Sequence, residues 1–467
     1  MLKQLILENW KSFRYAELPL DPLTVLIGTN ASGKSNVVEA LEFLQRIARG
    51  ENIEATLAGD KTLPSIRGGI DWAARKPYSE FTLKAIIQTI DNTTDLLYEI
   101  KVQTKPDTKI VQEAVEVVEN YNQNFHENMV ILSRHNLKQS CLSEAIGQFN
   151  NIEKEVTKVK DVIKIYHNTV EELKALKIQL ENLEDNIDNN IWKSTISERV
   201  QSLDKLKTII INQIPTHNKS IDNIKILNND LKNEIEKIKV IISKLINVFV
   251  INPIPSKMRS YSSISDVFKS DASNIAGVLA ALPDERKAEV EATLSAYIKN
   301  FPESDIKKVF AEPVGRLKTD AMLYCEEEWK PGETTLIDAK TMSDGTLRFL
   351  AILTALLTRP EGSQIVIEEI DNGLHPSRAE LLVRMLRDIG RKRKIDILLT
   401  THNPAFLDAL GPEIVSFVVV AHRDSETGES KLTLLEDIDN FSKLFASYSL
   451  GDMTTKGAIE RSLSRSE

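Results

Sequence analysis

The chain has 467 residues, of which 42% are hydrophobic, enough for two or more units with buried cores. Its 59 Lys and Arg residues face 68 Asp and Glu residues, and the resulting net charge of -9 gives no overall attraction to a polyanion. The two cysteines, Cys141 and Cys325, argue against a disulfide framework and a zinc site, and no segment has the ~20 apolar residues of a membrane span. We therefore expect a cytoplasmic protein.

Residues 1–150 alternate short β-like segments with turns. Four segments are rich in β-branched and aliphatic residues: Leu2–Leu7, Thr24–Ile27, Phe81–Ile87 and Leu97–Val102. One helix, predicted over Ser35–Ala48, directly follows a glycine-rich loop. We predict that residues 1–150 form the N-terminal lobe of an α/β domain.

Residues 151–249 have a different pattern. Apolar side chains recur at spacings of four and three from Ile152, which is typical of a coiled-coil seam, and a second seam begins near Ile221. Helices over Ile152–Ile187 and Ser220–Asn247 could pair antiparallel as a hairpin insert. Asn228 falls on the second seam, where it either fixes the register or marks a local irregularity.

Residues 250–437 again mix helices and strands. Helices are predicted over Asp284–Lys299 and Thr346–Leu357, and strands over Ile365–Ile367 and Ile395–Leu399. Residues 438–467 are predicted to be a polar tail. The whole pattern predicts an α/β fold with a mixed sheet and flanking helices, divided in sequence by the hairpin insert.

The segment Gly28-Thr-Asn-Ala-Ser-Gly33-Lys34-Ser35 has the spacing of a phosphate-binding loop and lies between a predicted strand and a predicted helix. Glycines let backbone amides converge on phosphate oxygens, and the helix directs its positive N-terminus at them. Lys34 would neutralise the terminal phosphates and Ser35 would bind Mg²⁺. A chance match without nucleotide binding is the alternative.

The segment Gln364-Ile-Val-Ile-Glu368-Glu369 is an apolar strand that ends in two acids. In open α/β folds, side chains at such strand ends meet at the ligand-binding edge of the sheet. Glu368 would hold Mg²⁺ through its water shell, and Glu369 would act as general base toward the attacking water. Taken alone, the pattern is also that of an ordinary strand end.

Two further segments suit the same site. Ile395-Asp-Ile-Leu-Leu-Thr400-Thr401-His402 is a strand followed by a histidine, which could donate to a γ-phosphate or serve a structural role. Ser343-Asp344-Gly345 precedes an apolar helix, and it could equally be a helix N-cap and turn.

Together, these segments closely resemble the ABC-type heads of SMC and RecF-like ATPases. Leu7–Phe13 looks like the N-terminal strand of that group, Thr341–Arg348 its signature motif, Ile365–Glu369 its Walker B strand, Asp371–Pro376 its D-loop, and Thr400–Pro404 its switch histidine. Within the group, Ser273–Leu279 and the compact turn after Walker B resemble stand-alone bacterial "AAA family" ATPases, including ATPase subunits of the anti-phage systems Septu and PARIS and of OLD nucleases. Glu368 departs from the usual Asp, which predicts slow turnover.

The resemblance implies binding of ATP and Mg²⁺ by a homodimer that sandwiches two nucleotides between its heads. The catalytic residues would be Glu369 and His402, and the metal ligands Ser35 and Glu368. The nucleotide-binding residues would be Lys11, Asn30, Ala31, Ser32, Gly33, Lys34, Ser35 and Asn36 of one copy, with Ser343 and Gly345 of the other.

The biological role remains open among three hypotheses at this point. The first is a sensor or scaffold subunit of a bacterial anti-phage complex, acting with a separately encoded nuclease, because no nuclease motif follows the ATPase segments. The second is a clamp on duplex DNA in repair or chromosome maintenance. The third is an ATP-bound scaffold with negligible turnover, which Glu368 motivates.

Overall fold

The structure is a computed structural model that describes residues 1–61, 63–89, 94–118, 129–133, 236–301, 305–373 and 375–463. Within these ranges the strands are β1 (Leu2–Glu8), β2 (Tyr15–Pro19), β3 (Leu23–Ile27), β4 (Glu80–Gln88), β5 (Asp95–Gln103), β6 (Lys109–Val118), β7 (Met129–Ser133), β8 (Val248–Ile251), β9 (Ser262–Ser263), β10 (Ile306–Val314), β11 (Asp320–Lys330), β12 (Glu333–Asp338), β13 (Gln364–Ile367), β14 (Asp396–Thr400), β15 (Val418–Arg423) and β16 (Ser430–Leu434). The labelled helices are α1 (Lys34–Ala48), α2 (Ile53–Ala58), α3 (Pro255–Met258), α4 (Ile275–Ala281), α5 (Asp284–Ile298), α6 (Asp344–Thr358), α7 (Ala379–Arg393), α8 (Pro404–Ala409), α9 (Phe441–Phe445), α10 (Leu450–Thr455) and α11 (Ala458–Leu463).

The chain forms two compact units that do not follow the order of the sequence. The first comprises Met1–Leu5, Ser12–Glu42 and Asn247–Glu467, and the second comprises Ile6–Lys11 and Phe43–Ile246. The phosphate-loop segment therefore shares a unit with the C-terminal half of the chain, from which the insert separates it in sequence.

The first unit is built on a sheet of order β16-β15-β3-β14-β13-β8. Five of these strands run parallel, and β16 pairs antiparallel with β15. Every residue of β13 is buried, as are four of the five in β3. Helices cover a parallel sheet on both faces, so its central strands lack the polar alternation of a half-exposed strand.

Helix α6 is the most deeply buried helix around this sheet. Twelve of its residues, from Gly345 to Leu357, are buried, which is expected of a helix that is apolar on all sides. Ser343 caps its N-terminus by accepting a hydrogen bond from the Thr346 amide at 3.1 Å. The helix therefore begins at a fixed residue, directly after the segment with the predicted signature motif.

A second sheet of the first unit has the order β10-β11-β12, and β9 pairs with β11. Its pairing is antiparallel throughout. Sequence analysis did not predict these strands, because β11 and β12 carry consecutive acids and threonines instead of a clear alternation. Cys325 lies on the buried side, and burial raises the pKa of its thiol to about 12, so the thiol stays protonated at neutral pH.

The second unit contains an antiparallel sheet of β4, β5, β6 and β7, with Ile6–Glu8 of β1 beside β4. Three aromatic rings anchor it: Trp10 lies 4.8 Å from Phe81 and 5.8 Å from Phe43, measured between ring centroids. All three side chains are at most 1% exposed. Aromatic pairs at these separations add to the stability gained from burial.

The α/β fold class predicted from the sequence is confirmed, with a mixed sheet and flanking helices. Most of the predicted hairpin insert at 151–249, including Asn228, lies outside the described residues. Residues 236–246 are helical, in line with the end of the second predicted helix, and Leu245 on its seam is fully buried. Within the described ranges no helix is long and apolar enough to cross a membrane.

The segment predicted as a polar tail is structured up to residue 463. It forms α9, α10 and α11, and six of its side chains join the core of the first unit: Ile438, Leu450, Met453, Ala458, Ile459 and Leu463. Its polar residues lie between these apolar ones. The polar composition of residues 438–467 therefore gave no indication that these short helices have buried apolar faces.

Candidate functional site

Three adjacent parallel strands of the first unit end at one edge of the sheet. β3 pairs with β14, and β14 pairs with β13, each in parallel register. Beyond their C-terminal ends come Gly28, Thr401 and Glu368, respectively. The fold thus brings together three segments that lie up to 373 positions apart in sequence (from Gly28 to Thr401), at the place where open α/β folds bind ligands.

The loop between β3 and α1 depends on two glycines. Gly28 has a φ of +141°, and a Cβ atom there would lie 2.1 Å from the Ala421 carbonyl oxygen. Gly33 has a φ of +116°, and its Cβ would lie 2.7 Å from the ring of Phe13. Only glycine tolerates both the conformation and the close approach. Phe13, from the segment before the loop, therefore helps to set the shape of the loop.

Lys34 begins α1 and folds back over the loop. Its Nζ donates to the carbonyl oxygens of Gly28 at 2.6 Å and Thr29 at 2.8 Å. Burial lowers the pKa of the Lys34 ammonium, and the nearby negative charge of Glu369 partly opposes that shift. The side chain thus places a positive charge beside the loop and within electrostatic reach of Glu369.

Among the remaining loop residues, Ser32 fits a bound phosphate best. Ser32 Oγ is buried, and none of the described residues hydrogen-bonds to it. Such an atom calls for a polar partner, which a phosphate oxygen would supply. Asn36 instead donates from Nδ2 to Ser12 Oγ at 2.7 Å, and Ala31 adopts a left-handed φ of 63°. Asn30 is exposed at the turn.

The predicted metal ligands Ser35 and Glu368 are both partly buried. In the part of the chain that the structure describes, no cluster of three His, Cys, Asp or Glu side chains could hold a metal ion by itself. Mg²⁺ is commonly bound by one or two protein oxygens together with substrate phosphates and water. One hydroxyl and one carboxylate therefore suit Mg²⁺ that arrives with a nucleotide.

Glu369 has a left-handed backbone with a φ of 47°, although it is not glycine. Its amide donates to Thr400 Oγ1 at 2.8 Å, and the next amide, of Ile370, donates to the Thr400 carbonyl at 3.1 Å. Asn372 Nδ2 donates to Glu369 Oε2 at 3.3 Å. These hydrogen bonds to Thr400 of β14 therefore fix the backbone that carries the exposed Glu369 carboxylate.

His402 is exposed, with 62% of its side chain accessible, and its Nδ1 lies 4.0 Å from Asp371 Oδ2. Asp371 is buried and accepts a hydrogen bond from Thr401 Oγ1 at 2.6 Å. This carboxylate is therefore fixed in position beside the His402 ring.

The signature segment lies at the N-terminus of α6. Ser343 is exposed, and Oγ donates to Thr346 Oγ1 at 2.8 Å while it caps the helix. Gly345 is buried, and a Cβ there would lie 2.7 Å from the Gly373 carbonyl oxygen. The predicted signature segment and the turn at Gly373 are thus packed tightly within one chain, and only glycine fits between them.

Lys11 belongs to the second unit. Its Nζ donates to the Arg67 carbonyl at 2.8 Å and lies 5.6 Å from the centroid of the Trp10 ring. Its role in nucleotide binding therefore stays a prediction.

Sequence analysis missed the residues that surround the loop from the C-terminal part of the chain. Arg423 Nε donates to the Ala31 carbonyl at 3.0 Å. A cavity of about 160 Å³ is lined by Gly28, Thr29 and His402 and by Thr454, Thr455 and Glu460 of the C-terminal helices. Their positions in sequence gave no signal, because only the fold brings them to this edge.

Comparison with known proteins identifies one family. The AAA ATPase domain matches residues 1–407. No curated protein matches the sequence at a significant level.

Among solved structures, the chain is similar to the Smc head domain with an extended coiled coil, bound to the C-terminal domain of ScpA, from Pyrococcus furiosus. That similarity has a TM-score of 0.44 and 13% identity, over 95% of this chain and 98% of the other. The SmcHead bound to the C-winged helix domain of ScpA gives a TM-score of 0.47 and 11% identity, over 92% and 96%. The SMC head domain from Thermotoga maritima gives 0.37 and 11%, over 93% and 98%.

Proposed function

The chain belongs to the AAA ATPase domain family, and we propose that it binds and hydrolyses ATP at the edge of its parallel sheet. One observation carries the proposal: β3, β13 and β14 are neighbours, so the phosphate loop, the paired acids and His402 follow strands that end side by side. Each segment had a structural alternative when taken alone, but an accidental convergence of all of them is hard to explain.

Residues of the loop and of α1 would bind the phosphates. The backbone amides from Asn30 to Asn36 and the N-terminus of α1 favour negative charge, and Ser32 Oγ would gain a partner. Lys34 would exchange its two carbonyl acceptors for phosphate oxygens, which gives its charge an anionic partner. Mg²⁺, held by Ser35 and through water by Glu368, would neutralise phosphate charge when bound.

Glu369 and His402 would serve the chemical step. Water attacks the γ-phosphorus, Glu369 accepts the proton that the water loses, and the bond to the ADP oxygen breaks. His402 would donate a hydrogen bond to the γ-phosphate, with Asp371 holding its ring. The fixed backbone of Glu369 supports this role, since a general base must be within hydrogen-bond reach of its water.

A second copy of the chain would complete the site. Ser343 is exposed, and it lies at the N-terminus of a 15-residue helix, where anions are favoured. We propose that it approaches the ATP bound by the partner's loop, so that ATP holds the two heads together and hydrolysis releases them. Binding energy realised only in the closed dimer would then shift the assembly equilibrium.

The test uses Glu369→Gln, which removes the base but keeps the shape of the side chain. ATP turnover should fall by about 10²- to 10⁴-fold. Analytical ultracentrifugation should show dimers of this variant with ATP and monomers without it. Lys34→Ala is the matched control, because it should lose nucleotide binding and therefore stay monomeric with ATP. An assembly state that ignores ATP would contradict the dimer mechanism.

We further propose that the ATPase is the sensor or scaffold subunit of an anti-phage complex with a separately encoded nuclease. The resemblance of Ser273–Leu279 and of the turn after Walker B to stand-alone bacterial ATPases supports it. Co-purification with the product of an adjacent gene is the expected result. ATP-dependent, salt-sensitive binding of duplex DNA would favour the clamp instead, and ATP-dependent assembly without measurable turnover would favour the passive scaffold.

A further inference from the structure

The loop at residues 339–344 leads from β12 to α6 and carries Ser343. Its two anchors are Ala339 and Met342, which are 0% and 3% exposed, while Lys340, Thr341, Ser343 and Asp344 are exposed. As an irregular connection, the loop has no strand or helix partners for most of its carbonyl groups. The conformation of the loop therefore depends on which other groups donate hydrogen bonds to these carbonyl oxygens.

One side chain satisfies most of them. Arg259, which follows α3, donates from Nη1 to the carbonyl oxygens of Ala339 at 3.1 Å, Lys340 at 2.8 Å and Met342 at 2.7 Å. From Nη2 it donates to Asp344 Oδ1 at 2.5 Å. The guanidinium thus binds three carbonyl groups and one carboxylate of a loop that begins 80 positions later in sequence.

Arginine suits this arrangement for a geometric reason. Its planar, permanently charged fork presents several donors in fixed directions, whereas the ammonium of lysine is a point charge on a flexible stem. The contacts bracket Ser343 on both sides, through Met342 before it and Asp344 after it. The position of Ser343 Oγ therefore depends on Arg259.

The ion pair has an electrostatic consequence as well. Asp344 lies in the first turn of α6, beside the exposed Ser343, and its side chain is 66% exposed. Without Arg259, its negative charge would face any anion that approaches this helix N-terminus, and like charges repel. Arg259 both fixes the loop and neutralises this carboxylate.

We infer that Arg259 is a positioning residue that holds the signature loop ready for the nucleotide bound by a second copy of the chain. The inference rests on the proposed dimer mechanism. Arg259 acts through Ser343 of its own copy, which would approach the nucleotide held by the other copy. The Lys34 loop of the first copy binds a different nucleotide, without help from Arg259. Loss of Arg259 should therefore separate two properties that fail together when a protein is merely destabilised: nucleotide binding and assembly.

The experiment introduces Arg259→Gln into the Glu369→Gln protein. Titration of the dilute, monomeric protein with a fluorescent ATP analogue should give an affinity within about twofold of the parent. The ATP-dependent dimer should weaken at least tenfold in sedimentation velocity. Arg259→Lys should show the same loss, because lysine keeps the charge but not the contacts to three carbonyl groups.

Arg286→Gln is the matched control. Arg286 donates to the Leu357 carbonyl at 2.7 Å, at the opposite end of α6, and it also pairs with Glu289. Arg286→Gln removes an arginine hydrogen bond to a backbone carbonyl group, as Arg259→Gln does, but at the end of α6 far from the signature loop. The ATP-dependent dimer should therefore persist.

Four outcomes are decisive. Parental dimerisation of both Arg259 variants would overturn the inference, and so would an equal loss in Arg286→Gln. If Arg259→Gln does not fold, as judged by its thermal transition, the inference is tested with Arg259→Lys and Asp344→Asn instead. Asp344→Asn removes only the ion pair, so it should weaken the dimer less than Arg259→Lys does. If Glu369→Gln itself fails to dimerise with ATP, the proposed function fails, and that result is visible before any Arg259 variant is made.

Discussion

At the scale of single residues, the backbone of Glu369 is the most informative feature. A non-glycine residue with a φ of 47° is held in a sparsely populated region at a cost of about 1–3 kcal/mol. The hydrogen bond from its amide to Thr400 Oγ1 helps to hold that conformation. Strain of this kind is concentrated at functional sites, where it aims a side chain that a relaxed strand end would direct elsewhere.

Thr400→Val should therefore reduce turnover without abolishing ATP binding. Valine keeps the shape but cannot accept the Glu369 amide, so that amide loses its partner and the base is less well positioned. We expect kcat to fall about tenfold or more, equivalent to about 1.4 kcal/mol, while the affinity for ATP stays within about twofold.

Thr24→Val is the control for this prediction. Thr24 Oγ1 also accepts a backbone amide, from Asp21 at 2.8 Å, but it lies at the start of β3, away from the strand ends that carry the site. Equal kinetic losses in both variants would show that Thr400 acts through stability alone.

At the scale of elements, the turn between β15 and β16 supports the phosphate loop. Asp424 accepts hydrogen bonds from the Thr427 amide at 2.7 Å and Thr427 Oγ1 at 2.9 Å, and it pairs with Lys431. The turn leads into Ser430, whose Oγ hydrogen-bonds to Ser12 Oγ at 2.7 Å, next to Gly33. A stable turn therefore keeps Ser430 in place against the loop.

The stability that Asp424 contributes should depend on pH. The hydrogen bond from Lys431, followed by those from Thr427, holds the pKa of the Asp424 carboxyl well below its usual range. A depressed folded-state pKa stabilises the protein at pH values above the unfolded-state pKa of about 3.9, and this stabilisation is lost as the pH falls toward the folded-state value. Asp424→Asn should therefore lower the melting temperature at pH 7, and the difference from wild type should shrink below about pH 4.

The exposed Asp439 gives the control for this measurement. Asp439→Asn should leave the melting temperature nearly unchanged across the same pH range, because surface substitutions are usually within about 0.5 kcal/mol of neutral. A deficit of Asp424→Asn that stays constant from pH 7 to pH 3 would show that its ionisation is not responsible.

Elements with strong local patterns were predicted within one or two residues. The helix predicted over Ser35–Ala48 is Lys34–Ala48, and the strand predicted over Ile365–Ile367 is Gln364–Ile367. Both have a dense apolar pattern between clear start or stop signals. The strands β10 to β12 were missed because their sequences lack a clear alternation, and the helices α9 to α11 because such short helices take their conformation from packing more than from local pattern.

At the scale of the whole molecule, the C-terminal segment is part of the first unit and not an appendage. Its buried side chains join the core that also contains Val25 and Ile27 of β3. Thr454, Thr455 and Glu460 line the same cavity as Gly28 and His402. The segment thus supports the strand that leads to the phosphate loop.

Deletion of residues 449–467 should destabilise the protein. Full burial of one aliphatic side chain contributes about 1.5–3 kcal/mol, and several are lost together with the helices that carry them. We expect the melting temperature to fall by about 4 °C or more, measured by calorimetry. Ser442→Ala, an exposed substitution in α9 of the same C-terminal segment, is the control and should leave the melting temperature nearly unchanged; a similar effect of both changes would contradict the role assigned to the buried side chains.

The sequence by itself determined the fold class, the membership of the AAA ATPases and the segments that form the candidate site. These follow from local patterns, since a phosphate loop, an apolar strand with terminal acids and a strand with a terminal histidine each occupy a few consecutive residues. The family match confirms the membership. The roles of the individual site residues remain predictions.

Only the tertiary structure decided how the glycine-rich loop, Glu369 and His402 are held. Thr400, Asp371 and Arg423 act on these groups, and Arg259 acts on the loop that carries Ser343, through contacts across strands and between elements distant in sequence. Parallel strands need long connections, so residues that meet at one sheet edge are far apart in the chain. Such partners leave no periodic pattern, and a hydrogen bond between them becomes visible only when the chain has folded.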